Sequence, residues 1–232
     1  MAKTYLEVSE VELLEKQAGN LRDRLLVRLL FHLGCRVSEA LALTPQNIDP
    51  DRGMVTILHL KSRVRVFCPN CNARLGKAHH FCPGCGQRVE AAVRKELEHR
   101  RMRTLPLDRA TVELLRDFIR RGGPVQYEGE LRIFGINRHR AWGIIKELAR
   151  RAGLPRLAHP ESGKEHGVSP HRLRDAFAVM AVKRDDSGDG LRLLQEQLGH
   201  ASFNTTARYR KVSGQEHQEW YEGLWGQDEH SD

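Results

Sequence analysis

The chain has 232 residues, 40% apolar and 29% charged, enough to bury a core in one large domain or two modest ones. It holds no run of about 18 apolar residues, so no transmembrane helix is expected, and its N-terminus, MAKTYLEVSEVELLEK, lacks the apolar stretch and cleavage site of a secretory signal. The net charge of +8 is concentrated: between Lys61 and Arg109 twelve basic residues stand against four acidic ones, an excess equal to that of the whole chain. Such a field suits a polyanionic partner, with nucleic acid the first choice and a solvated basic face the alternative.

In chain order, Ser9-x-x-Glu12 reads as a capping box opening a short helix. Asn20 caps a second helix whose stripe is Leu21, Leu25, Leu29 and Leu33, ended by Gly34. Ser38 starts a short helix, and Thr44-Pro45 begins another turn. After the turn cluster at 49–53, a strand is expected over 54–58 and a second near 102–107. The residues between them form an insertion, so the basic segment is a decorated β-hairpin. Helices are expected with Val112, Leu115, Phe118 and Ile119 on one face and with Trp142, Ile145, Ala149 and Ala152 on another. Residues 154–167 read as a loop. Ser169-Pro170 opens a helix reaching Lys183, and further helices are expected over 191–198, 205–212 and 215–225 before a polar tail. The fold class is mainly α with a small antiparallel β-sheet.

Four of the five cysteines form two knuckles, Cys68-Pro69-Asn70-Cys71 and Cys82-Pro83-Gly84-Cys85. Each turn aims two thiolates at one point, and four thiolates complete a tetrahedral Zn²⁺ shell that leaves no open position for water. The pattern resembles a zinc ribbon. It predicts a structural zinc that stabilises a module too small for its own core, in a reducing, cytoplasmic setting. Cys35 is left over as a buried core residue.

Four distant pieces remain. They are Gly34-Cys35-Arg36-Val37-Ser38-Glu39, Lys61 on the first hairpin strand, His171-Arg172-Leu173-Arg174, and Leu198-Gly199-His200 followed by Tyr209. In order and setting they resemble the catalytic domain of tyrosine recombinases, the phage integrase family. The resemblance covers residues 1–213, with a zinc-ribbon insertion at 62–101 inside the hairpin and a C-terminal helix and tail at 214–232. It implies DNA strand breakage and rejoining through a 3′-phosphotyrosyl intermediate, with no cofactor for catalysis. Tyr209 would be the nucleophile, Arg36 and Arg174 would grip the phosphate, and His171 would be the base. Lys61 would be the acid for the 5′-oxygen, and His200 would donate to the phosphate. Glu39 would orient Arg36 or carry a surface charge, and Asp175 stands where the family more often has histidine.

The implied partner is double-stranded DNA, with no membrane. Arg208, Arg210 and Lys211 would position phosphates or form a solvated helix face. The family usually carries an N-terminal core-binding domain; this sequence starts almost at the catalytic domain, as expected of a minimal recombinase, one half of a split system or a degenerate remnant. Arg94, Lys95, Arg100, Arg101 and Arg103 beside the ribbon are expected to supply part of the grip, a structural cap or protein-docking knob being the alternative. The helix bearing Trp220, Tyr221, Leu224 and Trp225 would dock onto a neighbour in a tetramer on DNA, the free chain being monomeric, or pack onto its own domain. The function expected is that of a site-specific recombinase or integrase. The alternatives are a type IB topoisomerase-like nicking-closing enzyme and a non-cleaving DNA-binding regulator.

Overall fold

The computed structural model describes residues 3–76, 79–89, 93–159, 162–210 and 223; the side chains of residues 59–65, 93–101 and 210 lie outside that description. Helix α1 spans Val8–Gln17. It starts earlier than the Ser9 box suggests, because Glu10 reaches back to accept the Glu7 backbone N–H at 2.8 Å. Helix α2, Leu21–His32, is capped as expected, with Asn20 Oδ1 accepting the Asp23 N–H at 2.8 Å. Its Leu25, Leu26, Leu29 and Leu30 are fully buried, and each contributes about 1.5–3 kcal/mol of burial. It is the central helix, packing against α1 and against four helices from later in the chain.

Gly34 then turns the backbone at φ +57°, and a Cβ there would sit 2.4 Å from the Phe177 ring. Only glycine satisfies both conditions. Helix α3, Val37–Leu41, follows, capped by Arg36 rather than Ser38. The reason is again a carboxylate three residues on, since Glu39 accepts the Arg36 N–H at 2.9 Å.

A 3₁₀ turn at Pro45–Asn47 leads into a four-stranded antiparallel sheet: β1 Ile48–Asp49, β2 Met54–Phe67, β3 Arg74–Leu75 and β4 Val93–Pro106. The expected strands at 54–58 and 102–107 are the root of something longer. The β2–β4 ladder runs unbroken from Met54↔Pro106 to Phe67↔Val93. Its outer half is charged on alternate positions with valines between (Arg63-Val64-Arg65-Val66), a strand pattern hidden by the density of arginine. The cysteine segment sits at its far end, with Cys68, Leu75 and Cys82 in a small cluster of their own, separate from the main core.

Helices α4, Arg109–Arg120, and α5, Arg138–Arg151, are capped by Asp108 and Asn137. Between them β5 Val125–Tyr127 and β6 Glu130–Arg132 form a hairpin that the sequence pattern does not announce. Its turn uses Glu128 and Gly129, both at positive φ. The expected loop at 154–167 contains a short ladder, β7 Leu157–Ala158 with β8 Glu165–His166.

Helix α6, Pro170–Arg184, packs on α2 and on α7, Gly188–Leu198. Helix α8, Phe203–Ala207, begins two residues before the expected 205 and passes into a 3₁₀ turn, Arg208–Arg210. Apart from residue 223, the expected 215–225 helix lies outside the described residues. The architecture is helical with small antiparallel sheets, and no helix among the described residues is long and apolar enough to cross a membrane.

Candidate active site

The turn after α2, the start of α6, the end of α7 and the 3₁₀ turn after α8 meet around one residue, Arg174. This residue is 2% exposed. Its guanidinium donates to the Gly34 carbonyl at 2.6 Å and the Leu198 carbonyl at 2.8 Å, and stands 2.9 Å from His200 Nε2. The Gly34 and Gly199 turns, both at positive φ, thus present the carbonyls and the imidazole that fix this cation. Burial, then the nearby charge of Arg36, lowers its pKa from the ordinary arginine value.

His200 is held from both sides. Arg174 has only protons to offer, so Nε2 accepts, and Nδ1 carries the hydrogen and donates to Thr206 Oγ1 at 2.9 Å. Burial, followed by the charges of Arg174 and Arg36, pushes its pKa down to about 4. The imidazole is therefore neutral. Donation to a phosphate requires a proton on Nε2, and the negative charge of an incoming phosphate favours that proton.

Arg36 lies at the rim, its side chain 37% exposed, with Nη1 on Glu39 Oε1 at 3.1 Å. Glu39 is 4% exposed and also receives Arg103, with Nη2 to Oε2 at 2.7 Å and Nη1 to Oε1 at 3.3 Å. Burial alone would raise the Glu39 carboxyl; the Arg103 hydrogen bonds and charge, helped by Arg36, hold it down at about 2. Arg103 Nε donates as well to the Gln197 carbonyl at 3.1 Å. The Arg103 side chain, expected from the sequence among the DNA-gripping residues, is turned inward here and couples the root of β4 to α3 and α7. Glu39 is an interior acceptor for two arginines, not a surface charge.

Tyr209 is half-buried against the α6–α7 cluster, its ring nearly parallel to that of His200 with centroids 6.3 Å apart. Its hydroxyl donates to Asp175 Oδ1 at 2.9 Å. Burial, then the Asp175 charge and hydrogen bond, raises its pKa above the ordinary phenol value. His171, its side chain 69% exposed, places Nε2 4.0 Å from the same carboxylate oxygen. Sequence reasoning noted Asp175 only as a departure from the family pattern and did not find its contact with Tyr209. The available signal was its place on α6, one turn after His171 and next to Arg174.

Of the other expected residues, Lys61 pairs in register with His99 on the β2–β4 ladder. The side chains of Lys61, Arg94, Lys95, Arg100, Arg101 and Arg210 and the whole of Lys211 lie outside the described residues. Arg208 is exposed on the 3₁₀ turn beside Tyr209. Cys35 is fully buried, which pushes its thiol up to about 12.

The Sγ atoms of Cys68, Cys71, Cys82 and Cys85 all lie within 4.8 Å of one another. Cys68–Cys85 and Cys71–Cys82 are 3.7 and 3.4 Å apart, far beyond a disulfide bond. A tetrahedron with bonds of about 2.3 Å has sulfur–sulfur edges of about 3.8 Å. The donor set therefore fits a four-thiolate metal. The backbone N–H of Gly84 points at Cys82 Sγ at 3.3 Å, and that of Gln87 leads the groups holding the Cys85 thiol down at about 6.

Comparison with known proteins places this geometry. The phage integrase family profile matches residues 87–216, more than half the chain and including α6, α7 and Tyr209. Tyrosine recombinase XerD of Neisseria meningitidis serogroup B is 32% identical over 204 residues, covering 88% of this chain and 54% of that protein. Among solved structures, XerA recombinase superposes with a TM-score of 0.62 at 18% identity, over 97% of this chain and 66% of that one. XerH bound to difH substrate in a post-cleavage complex gives 0.60 at 22%, over 96% and 53%. The chain spans about half the length of the curated relatives it matches. The fold, the family match and the order of the motif residues together make this chain a member of the phage integrase family.

Proposed function

We propose that this chain is a site-specific recombinase that cuts and rejoins double-stranded DNA through a covalent bond from Tyr209 to a 3′-phosphate. The observation that carries the reading is the meeting of Arg36, Arg174, His200 and Tyr209, from four separate segments, at one basic site. In the first step the Tyr209 phenolic oxygen bonds to the scissile phosphorus and the bond to the 5′-oxygen breaks. The phenol proton goes to His171, and Lys61 protonates the departing oxygen. A second 5′-hydroxyl reverses the step and regenerates the tyrosine. Arg36 and Arg174 hold the nonbridging oxygens, where charge grows in the transition state, and losing one such donor costs about 2.7–4 kcal/mol. Two relatives support DNA as the partner: XerH, solved on difH substrate, and the Tn1549 integrase, solved with transposon end DNA.

Cys68, Cys71, Cys82 and Cys85 hold a structural Zn²⁺ in this reading, and its chemistry is to fix the fold of the hairpin tip. The ribbon and the outer strands, with Arg94, Lys95, Arg100 and Arg101, add a grip on the DNA backbone. Substituting these arginines and lysine weakens binding to all duplexes and flattens its salt dependence. The segment after 213 serves assembly into a tetramer on DNA, and the chain works in the cytoplasm.

The test is a pool of nicked duplexes with randomised sequence, incubated with the chain and resolved under denaturing conditions. Covalent protein–DNA adducts that vanish in Tyr209→Phe support the reading. Tight binding without adducts makes the chain a non-cleaving binder.

A further inference from the structure

The contact between Tyr209 and Asp175 is not one that the transesterification needs. A nucleophile about to attack should point at the phosphate, and this hydroxyl instead points into α6, onto a carboxylate. Asp175 is 8% exposed. Around it stand Tyr209 at 2.9 Å, Arg172 Nη1 at 3.8 Å and His171 Nε2 at 4.0 Å, with Arg174 adjacent in sequence and Tyr5 adding its influence on Tyr209.

Two roles fit a carboxylate hydrogen-bonded to a tyrosine, a base and a restraint. As a base it is poorly matched, because a carboxylate is by its chemistry a far weaker base than a phenolate. As an anion beside Arg174 it also repels the phosphate that Arg174 is placed to bind. Its charge opposes ionisation of the phenol, and its lone pair holds the hydroxyl onto α6.

Resting on the recombinase reading above, we propose that Asp175 is a positioning residue that keeps Tyr209 docked and protonated until a DNA phosphate enters the site. The entering phosphate competes for Arg174, repels the carboxylate and frees the hydroxyl to turn toward phosphorus. The chain thereby avoids presenting a loose nucleophile when no DNA is bound.

The test has a DNA-free arm, so its failure is distinct from failure of the recombinase reading. The full chain and its Asp175→Asn variant are treated with tetranitromethane at mildly alkaline pH. Nitration of the Tyr209 peptide is followed by mass spectrometry, with Tyr127 as internal reference. This reagent attacks accessible phenolate, so a pKa drop of about one unit gives about tenfold faster modification. Asp175→Asn should nitrate Tyr209 about tenfold faster with Tyr127 unchanged, and Asp175→Glu should return the rate toward that of the parent. In the second arm, Asp175→Asn should form adducts faster than the parent at nicked-duplex concentrations that saturate both proteins. Unchanged or slower nitration of Tyr209 overturns the proposal. Slower adduct formation with loss of the acid limb of its pH profile also overturns it, and makes Asp175 a base.

Discussion

The Glu39–Arg103 pair offers the sharpest test of how the site is held. Arg103→Met removes both hydrogen bonds to a carboxylate whose side chain is 3% exposed, together with the bond to the Gln197 carbonyl. Arg36, from the rim, still pairs with Glu39 at 3.1 Å. Breaking one side of a buried pair costs about 3–5 kcal/mol, because the remaining charge is left uncompensated. The Glu39 pKa gives a second route to the size. A carboxyl at about 2 in the fold, against an ordinary value of 4.5, is worth about 3 kcal/mol at neutral pH. For a chain of this length that is about 6–12 °C in Tm, measurable by circular dichroism. The depressed pKa fixes the pH sense: the stabilisation is complete above about 4.5 and is lost as pH falls toward 2. The Arg103→Met deficit should therefore shrink in acid. Glu39→Gln alone should also destabilise, and the double variant should recover a large part of the summed loss. A Tm within about 2 °C of the parent, or strictly additive losses, refutes the coupling.

Three other outcomes follow from the geometry. Gly34→Ala should cost about 2–4 kcal/mol, since it combines a positive φ with a Cβ driven into Phe177; thermal melts check this, and a neutral result contradicts the packing described. Chelation or Cys68→Ser should release stoichiometric zinc to a chromogenic indicator and unfold the hairpin tip while the main melting transition stays, because the tip's cluster is separate from the core. His200 should stay neutral at about pH 6 and titrate near 4 by NMR, and a phosphate mimic in the site should raise that value, since added negative charge favours the imidazolium.

Much of the site was legible because its residues carry chemistry in local settings. Arg36 follows a glycine turn, His171 and Arg174 are spaced to share a helix face, and paired cysteines leave few readings. The helix cap at Asn20 and the Ser169-Pro170 start of α6 are local as well: an amide oxygen that accepts a free backbone N–H, and a ring that sets φ for a first turn. What escaped is non-local or outweighed by charge. Arg103 looks like one more surface cation in an arginine-rich stretch; only the approach of α3, sixty-four residues earlier, turns it inward. The outer half of the β2–β4 ladder was masked by its arginines. The starts of α1 and α3 were misplaced because Glu10 and Glu39 close their capping boxes around Glu7 and Arg36, residue types that rarely cap.

The proposed reaction attaches Tyr209 covalently to DNA. Its most direct measurement is peptide mass spectrometry of nuclease-trimmed adducts formed by the intact chain on nicked duplexes. A 3′-linked nucleotide phosphate is expected on the Tyr209 peptide, lost in Arg174→Ala and in Tyr209→Phe. Adducts on another residue, or efficient strand joining with Tyr209 unmodified throughout, would contradict it.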